Sequence, residues 1–280
     1  MIAHLGTGLM GAGFVRAALA RGEKVHVWNR SFEKAHALEG DGAKAFRNAA
    51  DAVRGAERIH LTLSDDAAVD EVLTSIESAI DRNALILDHT TTAPTPTEER
   101  YAYWKSRGIF FAHVPMFMGP QNALEHTGLM LVSGSPDREA RVRPAVEPMT
   151  GKLLNVGAGD GRAAAFKLFG NMMLIFITSG LADMYKLADG MGITRNDAHA
   201  LFNDFKPGGA IDFRGKKMAE RIYAPAAFEL TMARKDVRLM LEEGALHGVS
   251  YGVLPQVAAA FDRAIAAGHG SEDMGALSET

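Results

Sequence analysis

The sequence predicts an α/β chain: a doubly wound, mostly parallel sheet followed by an all-α region that one long helix leads. Three observations predict it. Short apolar runs alternate with amphipathic segments through the first half, a glycine-rich turn follows the first of those runs, and beyond residue 161 strand signals give way to helical patterning. Alternation of strand-length and helix-length patterns is what βαβ units around a parallel sheet produce.

The elements follow in order. Apolar runs at residues 2–5, 24–28, 59–63, 85–88 and 109–114 are bounded by Gly, Asp, Asn or Arg-Gly and read as strands. Between them, residues 13–21, 67–80 and 97–106 carry the spacing of amphipathic helices. Two more strands are expected at 129–133 and 152–156, with a helix at 138–147 between them. The run Gly157-Ala158-Gly159-Asp160-Gly161 then marks a change of texture. Residues 162–191 contain no proline and are apolar on most sides, so they predict one long buried helix that needs neighbours from its own domain or from a second subunit. Helical patterning continues near 194–203, 228–246 and 253–267, with breaks at Pro207-Gly208-Gly209, Ala224-Pro225 and Leu254-Pro255. The domain boundary is expected near residue 158, giving a first domain of 1–158 and an all-helical domain of 159–280.

Composition excludes several classes of function. A net charge of −4 offers no broad attraction to nucleic acid or an anionic membrane. With no cysteine, disulfides, thiolate catalysis and Cys-ligated metal centres drop out together, and a reducing compartment suits the chain. The ten histidines are scattered without an H-x-x-x-H spacing, so no metal site is expected. The N-terminus enters a strand directly, without a basic leader and apolar stretch, and a cytoplasmic location is expected. Residues 168–181 are the most apolar stretch, but Gly170, Asn171, Thr178, Ser179 and Gly180 interrupt them. A core helix is expected there rather than a membrane span.

Gly6-Thr7-Gly8-Leu9-Met10-Gly11 matches G-x-G-x-x-G, closes the first strand and opens the first helix. One glycine makes the tight turn, one lets the backbone approach a pyrophosphate, and one packs helix against strand, while the helix N-terminus supplies free N–H groups. In that context the motif predicts a Rossmann dinucleotide site. The second strand ends Trp28-Asn29-Arg30-Ser31, where an NAD-selective site carries an acid for the ribose 2′-hydroxyl. An arginine suits a 2′-phosphate instead, so NADP(H) is the expected cofactor.

Motifs along nearly the whole chain resemble those of the β-hydroxyacid dehydrogenase family, within the 6-phosphogluconate dehydrogenase-like superfamily. The glycine turn is similar to the family's G-L-G-x-M-G, down to Met10. Leu63-Ser64-Asp65 resembles L-P-D, with Ser64 in place of proline. Asp88-His89-Thr90-Thr91-Thr92-Ala93-Pro94 resembles D-M-S-T-V-S-P, which implies that Thr91 faces the cofactor. Lys167 and Asn171 resemble the catalytic K-x-x-x-N of the interdomain helix, Lys235-Asp236 the K-D whose lysine reaches the cofactor, and residues 268–273 the family's G-x-G-x-E-D. One motif departs. D-A-P-V-S-G-G lies over His113-Val114-Pro115-Met116-Phe117-Met118-Gly119, so Phe117 and Met118 replace the serine and first glycine that hold a substrate carboxylate. The resemblance implies a substrate-facing segment of His113, Met116, Phe117, Met118 and Gly119, and a substrate other than a small 3-hydroxy acid.

The residues themselves support a proton donor. Hydride transfer leaves charge on the substrate oxygen or nitrogen, and a positioned acid must neutralise it. Lys167 stands in an apolar run, where a charge is costly and its pKa would fall towards neutrality. From local sequence alone it reads equally well as a snorkelling lysine, and Lys235 as part of a solvated face. Asn171 shares the helix face of Lys167. The leading expectation is NADP(H)-dependent interconversion of a carbonyl and an alcohol with Lys167 as general acid/base. Reduction of a C=N bond and a non-catalytic NADP-binding module are the alternatives. A homodimer, or a tetramer built from it, is expected to cover the long apolar helix, with residues 207–214 near a partner's cleft.

Overall fold

In the computed structural model, which describes residues 1–280, the chain divides into two units, Met1–Asn171 and Met172–Thr280. The first is built on β1 (Ile2–Leu5), β2 (Val25–Trp28), β3 (Lys44–Phe46), β4 (Arg58–Leu61), β5 (Leu85–Asp88) and β6 (Phe110–His113). They form one sheet in the order β3-β2-β1-β4-β5-β6, and every pairing is parallel. Helices α1 (Leu9–Ala20), α2 (Phe32–His36), α3 (Ala49–Val53), α4 (Asp66–Ile76), α5 (Pro94–Ser106), α6 (Pro120–Glu125) and α7 (Pro136–Val146) make the connections. Because β1 lies between β2 and β4, the winding reverses there. That reversal opens a crevice at the C-terminal strand ends, where Gly6 and Thr62 emerge.

All four residues of β1 are buried, as expected for a parallel strand covered on both faces. Ala3, Leu5, Ile59, Leu61 and Ile86 share a core with Val69, Val72 and Leu73 of α4 and Trp104 of α5. The alternate residues place histidines inside the protein. His4 and His60 are register partners on adjacent strands, with their rings stacked 5.8 Å apart, and His60 stacks on His89 at 5.3 Å. His89 Nδ1 donates to the Val114 carbonyl at 2.8 Å, which leaves its Nε2 to accept from His60 Nδ1 at 3.0 Å. Burial, with like charge from neighbouring rings, pushes the His4 and His89 pKa values down to about 3 and about 4. This row of rings is neutral at pH 7.

A second sheet comprises β7 (Met116–Phe117), β8 (Leu129–Val132) and β9 (Lys152–Asn155). β7 runs antiparallel to β8, pairing Met116 with Met130 and Phe117 with Leu129. Neither β7 nor β3 is signalled by sequence pattern. Two or three residues are too few to show alternation, and both are made by pairing with a partner that the sequence does not reveal.

Helix α8 (Arg162–Gly190) begins in the first unit and continues into the second, which adds α9 (Arg195–Asp204), α10 (Gly209–Ala219), α11 (Leu230–Leu246) and α12 (Leu254–Ala264). Leu230, Ala233, Phe261, Ala264 and Ala276 form the core of that second unit. α10 starts at the Pro-Gly-Gly run that reads as a break. The run separates α9 from α10 as expected, and Gly208 takes the N-cap of α10, since proline and glycine are tolerated ahead of the first hydrogen-bonded turn. The neighbours expected for the helix at 168–181 are not supplied by its own copy. α8 is 29 residues long with a mean hydropathy of 1.5 over its most apolar window, so length and composition alone would let it cross a membrane. Phe169, Leu174, Ile175 and Phe176 are 57–64% exposed in the single chain. Nothing in one copy covers that face.

Candidate active site

The glycine turn separates what the fold requires from what a ligand would require. Gly6 has φ +93°, and a Cβ there would lie 2.2 Å from the Thr62 carbonyl oxygen. A Cβ on Gly11 would lie 2.0 Å from the Gly6 carbonyl oxygen. Both must be glycine for β1, β4 and α1 to meet. Gly8 has φ −67°, and a Cβ there would meet nothing within 4 Å. No protein atom demands glycine at that position. It leaves an open cradle before the α1 N-terminus, which fits the backbone approach of a dinucleotide pyrophosphate.

A crevice of about 350 Å³ opens beside this turn. Asn29, Arg30, Ser31 and Lys34 form one side, and Leu63, Ser64 and Glu71 also line it. Asn29 Oδ1 accepts from the Thr7 backbone N–H at 3.0 Å, and its Nδ2 donates to the Ser31 carbonyl at 3.0 Å. One side chain thus joins the phosphate turn to the end of β2. Arg30 is exposed and makes no ion pair within 4.0 Å, so its guanidinium is available to an anion. No sequence pattern signals Lys34 as a lining residue. It follows Arg30 by four residues on α2, but α2 is too short to announce itself by periodicity. Leu9 lies exposed at the start of α1, and Met10 beneath it is partly buried against the core.

The turn after β5 holds one hydroxyl out. Thr90 Oγ1 accepts from the Leu63 N–H at 3.0 Å, and Thr92 Oγ1 lies 2.9 Å from Thr97 Oγ1. Thr91, between these two buried residues, is exposed and has no hydrogen-bond partner. His113 braces the same turn from behind: its Nε2 lies 2.9 Å from the Thr90 carbonyl oxygen and 3.1 Å from Thr92 Oγ1. The ring is fully buried, so it supports the site from within rather than facing an open cleft. Asp88, its register partner, is also fully buried, and burial pushes its carboxyl pKa up.

Lys167 lies on the sixth residue of α8 and is 9% exposed. No carboxylate reaches its ammonium. The Phe117 ring lies 4.3 Å from Nζ, and burial alone pushes the pKa down from the ordinary lysine value. Asn171, one turn on, is partly buried on the same helix. Met116 points into the core with Phe14 and Met130, whereas Met118 packs beside Gly128 and Gly119 caps α6. Of the substrate-facing expectation, Phe117 is therefore the side chain brought to the lysine. Lys235 belongs to the second unit, exposed on α11 with Nζ 3.0 Å from Asp236 Oδ1. Arg214 lies 3.3 Å from the buried Asp273 carboxylate, which also accepts from the Ala227, Phe228 and Gly275 N–H groups.

Comparison with known proteins agrees with this fold. Residues 1–157 match the family described as the NAD binding domain of 6-phosphogluconate dehydrogenase. A probable 3-hydroxyisobutyrate dehydrogenase of Mycobacterium tuberculosis is 30% identical over 203 residues, covering 72% of this chain and 67% of that protein. The 3-sulfolactaldehyde reductase of Escherichia coli is 26% identical over 283 residues, covering 99% and 94%. Among solved structures, the imine reductase from Myxococcus stipitatus in complex with NADP+ superposes with a TM-score of 0.92 at 21% identity, covering 100% of this chain and 99% of the other. The chain belongs to the family of the NAD binding domain of 6-phosphogluconate dehydrogenase, and with it to the NAD(P)-dependent oxidoreductases.

Proposed function

We propose that this protein is an NADP(H)-dependent reductase that interconverts a carbonyl compound and its alcohol, with Lys167 as the general acid/base. The observation that carries the reading is the buried, carboxylate-free Lys167 in a chain whose Gly8 cradle is shaped for a dinucleotide. Gly6, Thr7, Gly8, Leu9, Met10 and Gly11 would hold the pyrophosphate, and Asn29, Arg30, Ser31 and Lys34 the 2′-phosphorylated ribose. Leu63, Ser64 and Thr91 would line the path towards the nicotinamide, and Lys235 is assigned to the cofactor by the resemblance alone. When bound, the cofactor supplies the hydride that adds to the substrate carbon. Lys167 Nζ gives a proton to the oxygen left negative, and in the reverse direction takes it back. Burial favours this role because it brings the amine closer to neutrality, where giving and taking a proton are both accessible.

Phe117 presents an apolar ring where the family motif holds a carboxylate, so we assign a substrate without a carboxylate anchor at that point. Met118 and Gly119 shape the same loop, with His113 and Met116 as its support. Reduction of a C=N bond is the second reading. The apolar Phe117 wall favours it, and the imine reductase from Myxococcus stipitatus shares the fold over the whole chain. The uncovered apolar face of α8 supports a homodimer, or a tetramer built from it.

The test is Lys167→Ala assayed with NADPH against a panel of ketones, aldehydes, small hydroxy-acid precursors and cyclic imines. We expect cofactor binding to persist and turnover of the best carbonyl to fall by about 10²–10⁴. Undiminished turnover would remove the lysine from the mechanism, and turnover confined to imines would decide for the second reading.

A further inference from the structure

The partnership between Phe117 and Lys167 is built from both sides. On one side, the backbone of Phe117 is pinned in β7 by its register with Leu129 of β8, and its ring packs in a small cluster with Leu131, Val156 and Ala163. On the other, α8 carries Gly170 three residues after Lys167. A Cβ at Gly170 would lie 2.3 and 2.4 Å from ring carbons of Phe117. Glycine in a helix interior is about 1 kcal/mol less favourable than alanine, and here the missing side chain is the space that the ring occupies. The ring therefore cannot shift towards the helix, and it sits 4.3 Å from the ammonium, a distance at which an aromatic face attracts a cation.

No other group competes for that ammonium. Lys167 has no ion pair or hydrogen bond, and burial is the sole cause of its lowered pKa. β7 and β8 carry no titratable side chain. Arg162, five residues earlier on α8, is turned over the Phe166 ring at 4.9 Å. We propose that Phe117 is the positioning residue of Lys167: its ring face, seated against Gly170, both holds the ammonium in place and keeps water from it. The ring acts in two opposed ways on protonation, since its π face favours the ammonium whereas the water it excludes would favour it more. The functional weight of the inference rests on Lys167 being the acid/base, but the contact itself does not.

That opposition gives a test independent of catalysis. The reactivity of Lys167 towards acetic anhydride is followed against pH in the full-length protein, residue by residue by mass spectrometry. Phe117→Leu keeps the apolar bulk and removes the π face, so the midpoint should fall by about 0.4–1.5 pH units. Phe117→Ala opens the ammonium to water, so the midpoint should rise towards that of an ordinary lysine. Phe117→Tyr keeps the face and should stay within about 0.3 units of the native protein, a shift worth no more than a weak cation–π difference. A Leu midpoint at or above the native one, or a Tyr midpoint that follows Leu, would overturn the proposal. If the Ala variant unfolds, shown by loss of its melting transition, the contrast between Leu and Tyr decides alone. Lys167→Ala with undiminished turnover, alongside the predicted Leu shift, would sink the catalytic reading and leave the Phe117 contact standing.

Discussion

Replacing the three glycines of the phosphate turn one at a time should separate folding from binding. Gly6→Ala forces a side chain into the left-handed region at φ +93° and to within 2.2 Å of a backbone oxygen. The conformation alone costs about 1–2 kcal/mol, and the collision adds more because the Thr62 carbonyl belongs to the backbone leaving β4. Gly11→Ala meets the Gly6 carbonyl oxygen at 2.0 Å and should cost a comparable amount. Gly8→Ala is different. Its φ of −67° suits alanine and its Cβ would meet nothing. The reduced entropy of the unfolded chain stabilises by about 0.4–1 kcal/mol, and the weaker N-cap destabilises by a similar amount. Net stability should therefore stay within about 1 kcal/mol of the native protein. The added methyl occupies the cradle, so NADPH affinity should fall by about tenfold or more, the loss expected when roughly 1.4 kcal/mol of phosphate contact is displaced. Urea unfolding and NADPH fluorescence titration would be run on all three variants. Native affinity in a folded Gly8→Ala protein would refute the assignment of that space to the pyrophosphate.

Three further outcomes are expected. Arg30→Ala should weaken NADP binding by about ten- to a hundredfold or more, the worth of a charge-assisted contact of 1.5–3 kcal/mol, and leave NAD nearly unchanged; equal native affinity for both cofactors would contradict the 2′-phosphate assignment. The buried histidine row should make the protein acid-labile: His4 and His89 have folded pKa values far below the unfolded 6.5. The unfolded chain therefore binds the extra protons, and each such ring costs about 1.4 kcal/mol per pH unit below 6.5 until its own folded pKa is reached. The raised Asp88 carboxyl offsets part of this by taking its proton earlier in the folded state. Urea midpoints that stay level between pH 7 and pH 5 would argue against it. Finally, Ile175→Glu on the exposed face of α8 should yield monomers in sedimentation velocity at micromolar concentration, where the native chain sediments as a dimer; a monomeric native chain would remove the α8 face from any interface.

What the sequence determined by itself is what depends on neighbours along the chain. The strands β1, β2, β4, β5 and β6 and the helix following each glycine or proline signal are local patterns, legible because periodicity and capping act over a few residues. The phosphate turn is local too, since six consecutive residues contain its logic. The short elements needed tertiary structure: β7 exists because β8 offers it hydrogen bonds, and Lys34 enters the crevice only because α2 forms. The family resemblance implied that His113 and Met116 face the substrate, because both lie under the family's substrate motif. Alternation and packing then turned both inward, while Phe117 alone reached Lys167. Gly170 shows the division most clearly. In the sequence it is an interruption in an apolar helix, and its purpose appears only when a phenylalanine 53 positions earlier is found filling the space where its side chain would be. Contacts between residues far apart in sequence are set by the whole fold, so no local pattern records them.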